Sequence, residues 1–153
     1  MKDVDEEIVF VVKRIAKAVS EHGVKRVVQI LDKLNDDEEA FMEAHKALIK
    51  FILKEASAKF KLKANDLKRN NIRGITIDAR SMCIVLLKRH LDLKHVDIAG
   101  LFGSTNHSIV SSAIKRFDSL KYDVKADRNI LDIFKELDGR VDEQKNMLWL
   151  KHS

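Results

Sequence analysis

The chain has 153 residues, 45% apolar and 35% charged, which is enough apolar content for a packed core and too much for a disordered polymer. With no proline, five glycines and abundant lysine, glutamate, leucine and alanine, the composition predicts an all-α helical bundle. No apolar run approaches the ~18 residues of a membrane span, the N-terminus lacks the order of a secretory signal, and the lone Cys83 has no internal disulfide partner, so a cytoplasmic location is expected.

Charge is unevenly placed. Residues 1–50 carry 9 Lys/Arg and 11 Asp/Glu, residues 51–124 carry 14 and 7, and residues 125–153 carry 6 of each. The basic middle is the part that would attract a polyanion.

In chain order, Ile8, Val12, Ile15 and Val19 fall on one helical face, and the helix is expected to end near Gly23. Val24, Val27, Val28 and Leu31 follow at helical spacing. Asp36, Asp37, Glu38 and Glu39 read as the acidic first turn of a third helix, where negative charge suits the helix dipole. That helix, with Phe41, Leu48 and Ile52 on one face, could run to about Phe60. This organisation predicts an N-terminal helical region over residues 1–48, a site of interaction or homodimerisation, ahead of a second domain at residues 49–140 and a helical tail at residues 141–153.

The second domain opens with a short helix over Ala64–Leu67 and a basic loop, residues 68–77, that contains Gly74. Thr76 or Asp78 can cap the next helix, whose run Met82–Leu87 is apolar on nearly every side and therefore belongs in a core. Cys83 within it is packing, not chemistry. Ile98, Leu101 and Phe102 then form the apolar face of a short helix that ends at Gly103, a left-handed C-cap. Ser104 and Thr105 span a turn, Asn106 can cap, and Val110, Ala113, Ile114 and Phe117 recur at i, i+3, i+4 and i+7. A short helix, a glycine turn and a second amphipathic helix is the helix-turn-helix order, with Phe102 and Phe117 read as buried. A last helix with Ile130, Leu131, Phe134 and Leu137 inward is expected to stop at Gly139, and Trp149 in the tail is expected to pack against the body or a second copy.

The stretch ARSMCIVLLKRHLDLKHVDIAGLFGSTNHSIVSSAIKRF resembles the C-terminal DNA-binding domain of the bacterial replication initiator DnaA, over about residues 50–138. Its most specific elements are Ile98, Phe102, Gly103, His107, Ser108 and Val110, which follow the family order Ile-Gly-x-x-Phe-Gly, then Gly-Arg-Asp-His, two hydroxyl residues and Val. The resemblance implies double-stranded DNA as partner. It implies Arg80 as a minor-groove arginine, Lys68, Arg69 and Arg73 as basic-loop contacts, and Asn106, His107 and Ser108 as base readers beside Thr105, with Lys115 further along the same helix. Among the departures from the family, Ala99 stands for its glycine, Thr105 for its arginine, Asn106 for its aspartate and Ile109 for its second hydroxyl residue. Asn pairs with adenine whereas Asp accepts from cytosine, so the site read is expected to differ from the initiator's own box.

The initiator's ATPase requires a GxxxxGK[ST] phosphate loop, and none of the five glycines begins one. No Ser/His/Asp, Cys/His or paired-carboxylate spacing suggests catalysis, and His90 and His95 lack the partners of a zinc site. The chain is therefore expected to be no enzyme and to use no cofactor or metal. The same basic stretch would admit a helical RNA-binding protein, disfavoured by the absence of interleaved aromatics, or an interaction adaptor that has lost its DNA contacts.

Overall fold

The computed structural model describes residues 2–69 and 73–151. Among these there are six α-helices, one 3₁₀ turn and no strand, an all-α fold: α1 (Lys2–His22), α2 (Val24–Lys59), the 3₁₀ turn Ala64–Lys68, α3 (Ile75–Leu91), α4 (His95–Leu101), α5 (Ser108–Asp118) and α6 (Lys125–Lys151).

Two helices are longer than their sequence signals suggest. The acidic run 36–39 is not a first turn: it lies inside α2, which continues unbroken from Val24 to Lys59. No glycine or proline separates Leu34 from Asp36, so nothing terminates the preceding helix, and propagation satisfies each added backbone group without a new nucleus. Nor does Gly139 stop α6, which runs on to Lys151. A helical glycine costs only ~1 kcal/mol relative to alanine. Leu137 and Val141, on either side of it, are both fully buried, and their burial outweighs that cost.

The chain divides into two compact units, residues 1–42 and 43–153, with α2 running through the division. In the first unit, Ile8, Val9, Phe10, Val11 and Val12 all stand exposed on α1, and Val24, Val28, Ile30, Leu31 and Leu34 stand exposed on α2. Phe41, expected on a buried face with Leu48 and Ile52, is exposed as well, because the face that enters the core begins only at Ala44.

The second unit holds the core. Leu48, Ile52, Leu53 and Ala56 from α2 meet Leu67 of the 3₁₀ turn and the apolar run of α3, where Met82, Cys83, Ile84, Leu86 and Leu87 are all buried. Burial pushes the Cys83 thiol well above its ordinary pKa, which leaves it an inert packing group. Helix α3 is central and touches α4, α5, α6 and the 3₁₀ turn. It ends at Asp92, whose left-handed backbone lets its N–H donate to the Lys88 carbonyl.

Ion pairs fasten α6 to this body, Arg140 to Glu55 and Lys59 to Glu136, both at 2.7 Å, and a 2.7 Å hydrogen bond joins His90 to Asp138. The Lys59 ammonium holds the Glu136 carboxyl below its usual pKa. Trp149 stacks on His45, with ring centroids 5.6 Å apart, so the tail packs against the body.

Candidate nucleic-acid interface

The turn between α4 and α5 is built from backbone geometry that the sequence dictates. Ile98, Ala99 and Phe102 anchor α4 in the core. Gly103, at φ +71°, adopts the left-handed conformation that a side chain would resist, and it donates its N–H to the Gly100 carbonyl. Ser104 N–H reaches back to Ala99 at 3.0 Å. These two bonds form a Schellman motif, which satisfies the last carbonyls of α4 and reverses the chain. A Cβ on Gly103 would lie 3.9 Å from the Lys68 carbonyl oxygen, so the end of the 3₁₀ turn abuts this reversal.

Helix α5 starts on a side-chain cap. Asn106 Oδ1 accepts the Ser108 N–H at 3.0 Å, and Ser104 Oγ accepts the Asn106 N–H at 3.1 Å. Asn106 thus performs the capping role that its position suggested, and His107 already has helical backbone angles. Val110 and Ala113 are buried, while Ile114 and Phe117 are only partly so. The expectation of a buried Phe117 is corrected here: its ring lies at the edge of the core, 4.6 Å from that of Phe134 on α6. At 100° per residue, Ser108, Ser111, Ser112 and Lys115 point away from the buried positions, and all four are exposed.

The sequence-expected residues fall in two groups. Thr105, Asn106, His107 and Ser108 are contiguous and exposed at the head of α5, with Lys115 two turns along the same outward face. Lys68 and Arg69 are exposed at the end of the 3₁₀ turn, and Arg73 is exposed immediately before Gly74. Arg69 lies 3.4 Å from Asp66, a loose pair that leaves its guanidinium largely in solvent. Residues 70–72 of the basic loop lie outside the described residues.

Arg80 joins the α5 group. On α3 it lines a groove of about 400 Å³ together with Ile77, and with Ser108, Ile109 and Ser112 of α5. It is half-buried, and the loss of solvent lowers its pKa from the ordinary arginine value, though a guanidinium stays protonated at neutral pH. A charge held partly out of water in a polar-rimmed groove is poised for an anion.

One pairing escaped the sequence. Asp78 does not cap α3: Gly74 occupies the cap position, and no side chain bonds there. Asp78 instead accepts both Nε (3.1 Å) and Nη2 (2.7 Å) of Arg116, which ties the first turn of α3 to the last turn of α5. Asp78 and Arg116 lie 38 residues apart, so no local signal could have revealed their pairing. Arg116, half exposed, also lines the groove that holds Arg80. Ser112, which the sequence offers with Ser111 equally as a phosphate contact or a plain surface serine, lines the groove with Arg80.

Residues 49–117 match the family described as bacterial dnaA protein helix-turn-helix. The chain is also 30% identical over 90 residues to the chromosomal replication initiator protein DnaA of Bdellovibrio bacteriovorus, an alignment that covers 59% of this chain and 18% of that protein. The chain therefore spans less than a fifth of the length of this relative. No solved structure matches the chain. Among the described residues, no helix is long and apolar enough to cross a membrane. The matched residues 49–117, which include the buried Phe102, the left-handed Gly103 and the capped start of α5, form a DnaA C-terminal-like helix-turn-helix domain.

Proposed function

We propose that this protein binds double-stranded DNA with sequence preference, in the cytoplasm, as a regulator or replication-related factor and not as an enzyme. The head of α5 enters the major groove and reads base edges through His107, Asn106 and Ser108, with Thr105 beside them. Arg80 and the basic loop, through Lys68, Arg69 and Arg73, engage phosphates and the minor groove, and Lys115 engages phosphate. The observation that carries this reading is the two-faced α5. Its apolar side is consumed by the core, while its exposed N-terminal turn stands beside a half-buried arginine. The DnaA-type match and the basic balance of residues 51–124 support the same reading.

Asn106 and His107 differ as readers. The Asn106 carbonyl oxygen already accepts the Ser108 N–H, so replacing Asn106 would remove a cap worth ~1 kcal/mol as well as any base contact. His107 makes no cap bond and is the cleaner probe. Selection from a random duplex library should yield a preferred site. His107→Ala should then weaken binding to that site by about 1–3 kcal/mol and to scrambled duplex much less. Equal losses on both duplexes would make His107 a backbone contact, and failure to enrich any duplex would sink sequence reading. Lys68, Arg69, Arg73, Arg80 and Lys115 together should give a log K against log salt slope of roughly −4, shallower by about one in Arg73→Ala. A slope near zero would remove DNA as the main partner.

A further inference from the structure

We propose that α1 pairs with α1 of a second copy of this chain in an antiparallel, two-fold symmetric arrangement. Five consecutive apolar residues, Ile8 to Val12, are each at least half exposed, so α1 is apolar around much of its circumference. A helix of that kind is ordinarily a buried one, yet these five residues stand exposed. Ile8, Val11 and Ile15 recur at a 3.5-residue period, the seam spacing of paired helices. Val11 and Ile15 also line an apolar hollow of about 310 Å³ that continues onto Val27, Ile30 and Leu31 of α2.

Charge decides what covers the seam. The first half of α1 is acidic at Asp5, Glu6 and Glu7, and the second half is basic at Lys13, Arg14 and Lys17. Glu7 and Arg14 lie seven residues apart on the same edge of the seam, and Arg14 is held along the helix over the Phe10 ring, 5.2 Å from its centroid. An antiparallel second copy that sets Ile8 beside Val11 also sets Glu7 opposite Arg14, and the two-fold axis repeats that pair. A parallel copy would lay the acidic half of α1 beside the acidic half of its partner and the basic half beside the basic half. A foreign helix of uniform charge would match only one half of α1. The chain's own α1, reversed, sets an acidic half against a basic half and Glu7 against Arg14 twice.

Mass measured by light scattering or sedimentation across a concentration series, without DNA, tests the pairing independently of any DNA reading. The full chain should show twice its monomer mass, and Val11→Asp should be monomeric. Glu7→Arg and Arg14→Glu should each raise the dimer dissociation constant by at least about tenfold, since each replaces two attractive pairs with two repulsive ones. The double variant Glu7→Arg/Arg14→Glu should recover the parent's dimer, because the swapped charges face each other again. These two positions are exposed, so the charge variants remain informative even if Val11→Asp unfolds α1. A monomeric parent, a dimer indifferent to Val11→Asp, or a double swap as weak as the singles would each overturn the proposal.

Discussion

Among the described residues, every buried side chain lies at or beyond Ala44, while most of the large apolar side chains left exposed lie before Glu43. The two regions are both helical and both rich in Val, Ile and Leu, so secondary structure does not distinguish them. Closure does. In residues 43–153 the apolar faces of α2, α3, α4, α5 and α6 converge on one cluster, and each fully buried Leu or Ile contributes about 1.5–3 kcal/mol against the entropy of ordering the chain. In residues 1–42 the same kinds of side chain face solvent, so α1 and the start of α2 rest on helix propensity alone. Helices without tertiary burial are marginal in water, so this contrast assigns fold stability to the core-bearing unit.

The largest expected effect lies in the closed unit. Phe102 is 3% exposed and sits where α4 meets the core, so Phe102→Ala should destabilise by roughly 3–5 kcal/mol in denaturant unfolding followed by circular dichroism. Val24→Ala, at a position 62% exposed, should stay within about 0.5 kcal/mol at concentrations low enough to keep the chain monomeric. Comparable losses at the two sites would erase the distinction between the regions.

A pair of glycines sharpens it. Gly23 and Gly103 both hold positive φ, +82° and +71°, and at neither would a Cβ meet a clash, so alanine imposes mainly backbone strain of roughly 1–2 kcal/mol at each. Gly103→Ala should lower the global unfolding free energy by that amount, because the turn between α4 and α5 belongs to the core-bearing unit. Gly23→Ala should leave that transition unmoved, since the strain it adds falls where no cooperative core registers it. A chain trimmed to begin at Glu43 extends the same logic: its unfolding free energy should match the parent's to within about 1 kcal/mol. A peptide of residues 1–42 should be weakly helical at high dilution and gain helicity as its concentration rises.

What the sequence disclosed about this division follows from the range of the forces involved. The i, i+3, i+4, i+7 pattern of α5 and the glycine after Phe102 are local, and both located the helix-turn-helix correctly. The resemblance, not periodicity, singles out Arg80 as a minor-groove arginine, and its place beside the head of α5 is a tertiary feature of the structure. Helix ends were read wrongly where a local signal competed with a distant one. The acidic run at 36–39 resembles a first turn, and Gly139 resembles a stop, yet uninterrupted propagation won at the first and the burial of Leu137 and Val141 won at the second. The Asp78–Arg116 pair is tertiary, and the capping role expected of Asp78 was a reasonable local use of a residue whose partner lies 38 positions away. The exposure of Phe41 and the partial exposure of Phe117 mark where a helical face leaves the core, which periodicity cannot locate.

The smallest expected effect concerns how residues 43–153 close at their far end. Trp149 near the end of α6 stacks on His45 near the start of this unit, with the two rings 16° from parallel. Partial burial lowers the pKa of His45 from its ordinary value of 6.5, because the protonated ring is deprived of solvent. The unfolded chain therefore takes up this proton first as pH falls. The stability that depends on a neutral His45 is complete above pH 6.5, declines as pH drops below that value, and levels off once the folded protein is protonated as well. His45→Phe keeps an aromatic ring against Trp149 and removes the titration. Its melting temperature should fall less than the parent's between neutral and mildly acidic pH, and the two should converge in slope above neutrality. Parallel pH profiles for parent and variant would mean that the His45–Trp149 stack does not report on closure, and that the buried Leu137 and Val141 with the Arg140–Glu55 and Lys59–Glu136 pairs hold α6 instead.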